Sequence, residues 1–386
     1  MSTQNFILFR ELIKVSLNQA DRLSSIPSSK EWQILYRLSE KQSLVGICFN
    51  GVQTLYEKCP EQIVQLNKDL KIRWFGEAIR IQKRNEVFNK RCVELQETLR
   101  KAGFNTYIMK GQGNAALYPK KLRQLRLPGD IDIYMDGGYK KIVEYVNSTF
   151  PTDEVNELEI QYHCFDDVAV EIHYRPFILR NPIKNLKLQA FFTNEQNKCF
   201  ENRMILQNIG AITIPTLTFN LVHQMVHIYH HMITGGIGMR QLMDYYYLLI
   251  AARTSNTEFQ IVRSVIHNIG LDRFASSLMW VLQTLFNGDE TIEYQVSRRE
   301  SDIYKSTFWP WSPNAKNGKF VLNEVLRTGN FGHMDENKGD MTNKLKNFLY
   351  VNSEAIRMIR FESMAWFWTP LWRIYHFFWR KINGYK

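Results

Sequence analysis

Two aspartates that lie two residues apart, in the run Gly129-Asp130-Ile131-Asp132-Ile133, constrain the fold of this chain more than any other feature. Side chains at positions i and i+2 of a β-strand point to the same side. The run therefore predicts a strand with both isoleucines in a core and both carboxylates on the opposite face. Two ionised carboxylates side by side repel each other, and a divalent cation is their natural partner. The alternative is a solvated strand end in a turn rich in aspartate.

The composition is that of an ordinary globular protein. The 386 residues, 45% of them hydrophobic, suffice for one large or two modest domains. There is no long uncharged apolar window and no secretion-signal pattern, so the sequence predicts a cytoplasmic protein without a transmembrane segment. Five widely spaced cysteines fit buried thiols better than disulfides or a zinc site. The net charge of +11 favours polyanionic partners, which include nucleotide phosphates, nucleic acid and an anionic membrane surface.

Sequence periodicity divides the chain into a helical region at 1–102, a mixed α/β region at 103–215 and a mainly helical region at 216–386. The clearest helix is predicted at 69–99, where apolar residues recur at helical spacing. Its opposite face carries lysines and arginines and is interpreted as a solvated surface.

Shorter patterns predict the strands of the mixed region. The apolar run 106–109 predicts a buried strand. The alternating runs 157–163 and 168–174 predict the two strands of a β-hairpin. Farther along, the polar stretches 298–319 and 327–344 predict loops.

A third carboxylate lies on the second strand of the predicted hairpin. The alternation in 168–174 places Glu171 and His173 on the face opposite the apolar side chains. A charge within such a strand costs free energy unless it has a partner. Together with Asp130 and Asp132, Glu171 would complete the site of a two-metal phosphoryl transfer. The alternative is the exposed face of a two-sided hairpin.

Basic and glycine residues between the first strand and the aspartates predict a phosphate site. The turn begins with Lys110 and Gly111, where backbone N–H groups can approach a phosphate and the lysine adds charge. In the basic run at 120–126, Arg126 is the strongest candidate because it precedes Asp130 by four positions. A tight turn and a solvated loop are the alternatives.

An ordered set of motifs resembles the uncharacterised nucleotidyltransferase family of bacteria, part of the polymerase-β-like nucleotidyltransferase superfamily. The motifs lie at 107–111, 117–119, 126, 129–133 and 170–174. The resemblance spans residues 30–250. It implies an α+β fold in which a polymerase-β-like nucleotidyltransferase core, a small mixed sheet with helices at 103–215, is flanked by N-terminal and C-terminal helical regions.

The resemblance also implies roles for the residues of these motifs. Asp130, Asp132 and Glu171 would be catalytic ligands of Mg²⁺ (or Mn²⁺). Lys110 and Gly111 stand where the superfamily usually has a Gly-Ser pair, at its nucleotide-binding turn, and with Arg126 they are predicted to bind the nucleotide.

The function that follows is a metal-dependent nucleotidyltransferase. It would transfer a nucleoside monophosphate from an NTP, with ATP as one candidate, to an unknown acceptor such as a small molecule, saccharide, protein or RNA. One alternative is a catalytically inactive module of the same fold that binds RNA or a partner protein. Another is a transferase of related fold that uses an activated phospho-alcohol or sugar donor in surface-polysaccharide assembly.

Four histidines fall within one predicted helix, at 223, 227, 230 and 231. The i, i+4 steps put three imidazoles on one face, which permits a metal site, but the HExxH pattern of zinc proteases is absent. The preferred interpretation is a helix packed on the core, with His227 bonded to a buried carboxylate such as Asp244. The residues predicted to be acceptor-site or structural are His173, His227, Arg240 and Asp244.

The C-terminal stretch 361–386 is dense in aromatic residues and ends in basic ones. This pattern permits peripheral contact with an anionic membrane through an interfacial helix. However, Pro370 interrupts the stretch, and large aromatics at irregular spacing favour the closing of a core. Core closure is the preferred interpretation.

Overall fold

The computed structural model describes residues 2–206, 208–234, 236–253, 256–286, 310–329, 353, 356–361 and 364–382. The elements described before the first strand are the α-helices α1 (Thr3–Ser16), α2 (Ser29–Lys41), α3 (Val45–Lys58) and α4 (Lys68–Lys101), with a short 3₁₀ helix at Pro60–Ile63. The predicted helix at 69–99 is confirmed as α4. Asn67 caps its first turn by accepting from the backbone N–H of Asp69 at 2.7 Å, and Gly103, with a φ of +85°, follows its end.

The middle of the chain forms a four-stranded mixed sheet. Its strands are β1 (Thr106–Ile108), β2 (Ile131–Met135), β3 (Glu159–Gln161) and β4 (Val170–His173), and the helices between them are α5 (Gln112–Ala115), α6 (Lys120–Arg123) and α7 (Gly138–Thr149). The strand order is β1-β2-β4-β3. Strand β2 pairs antiparallel with β1 and parallel with β4, while β3 and β4 form the predicted antiparallel hairpin. The sheet therefore places β2 beside the second hairpin strand.

The elements after the sheet are mainly helical. They are α8 (Pro182–Glu201), β5 (Arg203–Leu206), β6 (Gly210–Thr213), α9 (Leu217–Thr234), α10 (Met239–Ala252), α11 (Asn256–Asn268), α12 (Asp272–Phe286), α13 (Ala315–Thr328) and α14 (Ala365–Ile382). Helix α13 begins and ends within the two stretches predicted as loops, so that prediction is wrong at 315–319 and at 327–328. The buried Val321 and Val325, between those stretches, recur at helical spacing, and the helix extends from them in both directions into polar sequence. Residues 298–309 and 330–344 of those stretches lie outside the described residues.

Two sets of buried apolar side chains organise the molecule. One lies beneath the sheet and includes Phe88, Ile131 and Ile172. The other joins the N-terminal helices to the helices after the sheet, and includes Leu12 and Leu248. Both helical regions therefore pack into one core beside the sheet, while the boundaries at 102 and 215 stay a prediction.

The C-terminal helix differs from the preferred interpretation of the aromatic stretch. Helix α14 contains Pro370 within it. Trp379 packs against the ring of Tyr139, as core closure requires, but Trp366 and Phe378 are 51% and 56% exposed. Only one face of the helix closes a core.

The predicted α+β class, a small mixed sheet flanked by helical regions, is confirmed. Among the helices of the described residues, none is both long and apolar enough to cross a membrane.

Candidate metal and nucleotide site

The two acidic motifs meet on neighbouring strands. In the parallel pairing of β2 with β4, Asp132 is directly opposite Glu171, and Ile133 is opposite Ile172. Asp130 immediately precedes β2, two residues from Asp132. The isoleucines of β2 are buried as the alternation predicts, so the carboxylates share the other face. The sheet thus places three acidic residues at one site.

Lys110 forms an ion pair with the central carboxylate. The residue before it, Met109, donates its backbone N–H to the carbonyl of Asp132 at 2.9 Å, which extends the β1–β2 pairing. Lys110 Nζ lies 2.5 Å from Asp132 Oδ1 and 3.3 Å from His227 Nε2. Because the Asp132 side chain is only 3% exposed, the lysine compensates a charge that solvent does not reach.

The carboxylates differ in their affinity for protons. Burial, followed by the charge of Asp132, raises the pKa of Glu171 to about 7. Asp132 and burial also raise the pKa of Asp130. Burial would raise the pKa of Asp132, but Lys110 and then His173 outweigh it and hold that pKa below its usual range. Near neutral pH, Asp132 is therefore ionised, whereas Glu171 is present in both its protonated and its ionised form.

His173 holds the acidic cluster together. Its Nε2 lies 3.1 Å from Asp132 Oδ1 and 3.2 Å from Glu159 Oε2. Burial alone would lower the pKa of His173, but Glu159 and Asp132 raise it above its usual value, which favours the protonated, donating form. Glu159 was missed from the sequence, although it lies on the alternating run of β3 and pairs directly opposite His173.

Gly111 brings the glycine turn against the aspartates. Its φ of +51° lies in the region that favours glycine, and a Cβ there would lie 3.4 Å from the carbonyl oxygen of Asp130. Lys110 and Gly111 therefore lie beside the acidic cluster, as their predicted nucleotide-binding role requires. That role itself stays a prediction.

Arg126 has a different environment from that expected of a phosphate ligand. It is 4% exposed, and its Nε and Nη2 each donate to a carboxylate oxygen of Asp244 at 2.7 Å. Tyr118 also donates to Asp244, at 2.6 Å. This ion pair joins the segment before β2 to α10, so Asp244 does not bond to His227 as interpreted from the sequence.

Arg240 lies next to the same segment. Its Nη1 donates to the carbonyl of Leu127 at 2.9 Å and lies 3.4 Å from where a Cβ on Gly129 would be. Burial, followed by the charge of Arg126, lowers the pKa of Arg240, while Asp130 is among the groups that oppose the shift. Arg240 is therefore a partly buried positive charge beside the first aspartate.

The histidines of α9 lie beside Lys110 and are neutral. His227 Nε2 lies 3.0 Å from His231 Nε2, and His223 Nε2 lies 3.1 Å from the carbonyl of Pro176. Burial, with Lys110 the next cause, lowers the pKa of His223 to about 3 and that of His231 to about 4. Burial also lowers the pKa of His227 well below its usual value. These three histidines therefore add no positive charge near neutral pH.

The donor set fits a divalent cation. Asp132, Glu171 and His173 each offer an atom within 4.8 Å of the others, and Asp130 adds a carboxylate two residues from Asp132. Mg²⁺ and Mn²⁺ prefer carboxylate oxygens. Because His173 already donates to Asp132, the three carboxylates are the better ligands and His173 the group that orients them.

One of three comparisons with known proteins identifies a family for the chain. The model of a family described as uncharacterised nucleotidyltransferase matches residues 28–287. A crystal structure of an antigenic nucleotidyltransferase-like protein from Paracoccidioides brasiliensis is similar over 51% of this chain and 93% of that chain, at 13% identity and a TM-score of 0.30. A TM-score this low gives the likeness no weight. No curated protein matches the chain.

Proposed function

Because the chain belongs to the uncharacterised nucleotidyltransferase family, we propose that it is a metal-dependent enzyme that transfers a nucleoside monophosphate from an NTP to an acceptor hydroxyl. The observation that carries the proposal is the register of β2 and β4, which sets Asp132 opposite Glu171 beside Asp130. Burying charged side chains together costs desolvation free energy, and a bound cation would compensate the charge of these carboxylates.

In this proposal Asp130, Asp132 and Glu171 hold the cation. A bound Mg²⁺ or Mn²⁺ would supply positive charge to the triphosphate and lower the pKa of the acceptor hydroxyl. His173 keeps Asp132 ionised and oriented through the hydrogen bond at 3.1 Å. Arg126, paired with Asp244, anchors the segment before β2 rather than binding phosphate.

Lys110 is proposed to bind the phosphates of the nucleotide. Its ammonium lies 2.5 Å from Asp132 Oδ1 and neutralises that carboxylate. The Gly111 turn places it at the edge of the acidic cluster, within reach of both a carboxylate and a neighbouring phosphate. Arg240, partly buried beside Gly129, is a second positive charge close to that position.

We expect the binding of Mg²⁺ with a non-hydrolysable NTP to weaken about tenfold when the pH falls from about 8 to about 6. The carboxylate of Glu171, with its pKa raised to about 7, is mostly ionised at the upper pH and mostly protonated at the lower, so a proton competes with the cation. Isothermal titration calorimetry measures this change. The Glu171→Gln variant should bind weakly with most of the pH dependence gone; an unchanged dependence would assign the proton to another group, His173 first.

The Lys110→Met variant should affect cation binding and nucleotide binding in opposite directions, which the same calorimetry measures. It removes the ammonium that competes for Asp132, so Mg²⁺ alone should bind more tightly, while the NTP analogue should bind more weakly. A variant that binds both as the wild type does would remove Lys110 from the site.

The ion pair between Lys110 and Asp132 also favours a second candidate, a module that keeps the fold and has lost the chemistry. In such a module the lysine would replace the cation permanently. Tight, salt-sensitive RNA binding without NTP binding would support it. If neither ligand binds, a screen of activated phospho-alcohol and sugar donors tests the polysaccharide alternative.

A further inference from the structure

Helix α14 is attached to the mixed region by one face. The Trp379 ring lies 5.7 Å from that of Tyr139, measured between centroids. Nearer the start of the helix, Arg180 Nη1 donates to Thr369 Oγ1 at 3.0 Å. Because these contacts are spread over more than two helical turns, they fix which face of the helix points outward.

The outward face is apolar. At about 100° per residue, the exposed side chains fall on one half of the helix surface. They include Phe367, Leu371, Ile374, Tyr375, Phe377 and Phe378, which are between 37% and 56% exposed. Contiguous exposed apolar surface of this kind marks an interaction site in soluble proteins.

The charges of α14 indicate what the face meets. The helix carries Arg373, Arg380 and Lys381 and has no acidic residue. Lys381 Nζ lies 4.6 Å above the ring of Phe377, so its ammonium lies over the outward face near the C-terminal end of the helix. An aromatic face on a helix that is basic at its C-terminal end and has no acidic residue is typical of helices that lie in the interface of an anionic bilayer.

We propose that α14 binds the surface of an anionic lipid bilayer, with its outward face toward the acyl chains and Arg380 and Lys381 at the lipid phosphates. The net charge of +11 adds a longer-range attraction to the same surface. Through the contacts of Trp379 and Thr369, the mixed region with its acidic cluster is held beside the membrane. This inference does not depend on the proposed transferase activity.

Vesicle co-sedimentation of the full chain tests the proposal. We expect binding to vesicles that contain phosphatidylglycerol, weakened by added salt, and little binding to vesicles of phosphatidylcholine alone. The double variant Ile374→Asp with Phe378→Asp should lose binding because two charges enter the apolar face. Leu186→Asp, at a side chain on α8 that is 71% exposed, is the matched control and should bind as the wild type does.

The two basic residues at the C-terminal end of α14 have their own variant. Arg380→Gln with Lys381→Gln should weaken binding to the anionic vesicles about thirtyfold, from the loss of two surface charges. Circular dichroism checks that each variant remains folded. Equal binding to both kinds of vesicle, or none, overturns the proposal. A different result would also overturn it: the wild type sediments as a dimer, the double variant Ile374→Asp with Phe378→Asp sediments as a monomer, and neither protein binds vesicles. In that case the outward face would join two copies of the chain.

Discussion

Replacing Asp132 with alanine is expected to lower Mg²⁺-dependent nucleotidyl transfer by at least about a thousandfold, because a catalytic cation contributes several kcal/mol to the transition state. Asp132 is the centre of the cluster: it pairs with Lys110, bonds to His173 and lies opposite Glu171. Its loss would remove a ligand and leave Lys110 without its closest carboxylate. Release of pyrophosphate from NTP, with acceptors supplied as a mixed extract, measures the effect.

The matched control is Asp166→Ala, at an exposed aspartate in the turn between β3 and β4. It removes the same charge from the turn of the hairpin that pairs with β2, and should leave turnover within about a factor of two of the wild type. Equal turnover in Asp132→Ala and the wild type would remove the proposed site altogether.

Replacing Asp244 with alanine is expected to destabilise the fold by about 3–5 kcal/mol, because it leaves the guanidinium of Arg126 buried without its partner. The Arg126 and Asp244 side chains are 5% and 4% exposed. Tyr118 would lose its acceptor as well. Urea denaturation should show the change as a lower midpoint with a similar slope.

Two further variants identify the cause of that destabilisation. The double variant Arg126→Met with Asp244→Leu removes both charges and should recover most of the loss. Asp167→Ala breaks an ion pair with Arg91 at the surface, where both side chains are partly exposed, and should cost no more than about 1 kcal/mol. A cost for Asp244→Ala as small as that of Asp167→Ala would show that the buried pair does not anchor the segment before β2.

The sequence predicted the parts of the site that depend on local periodicity. The i, i+2 alternation placed Asp130 with Asp132 and Glu171 with His173, and the structure keeps both pairs. The long stripe of apolar residues predicted α4 almost to its ends. In each case a single element determines the side-chain direction, so local rules suffice.

The features that the sequence did not predict depend on contacts between residues far apart in the chain. Arg126 bonds to Asp244 across 118 positions, and no local pattern distinguishes that pair from a phosphate ligand. Glu159 joins the cluster only because β3 pairs with β4 in one register. For the stretch that forms α14, the sequence left core closure and an exposed interfacial helix as alternatives, since it shows aromatic residues but not which of them another element covers.

The central claim is that Asp130, Asp132 and Glu171 hold a divalent cation that serves a bound nucleotide. The most direct test is a crystal structure of the protein soaked with Mn²⁺ and a non-hydrolysable NTP, with data collected for the anomalous signal of manganese. We predict an anomalous peak bound by these three carboxylates, with Lys110 Nζ moved from Asp132 to a phosphate oxygen. A peak at the histidines of α9 instead, or Lys110 still on Asp132 with no peak nearby, would contradict the claim.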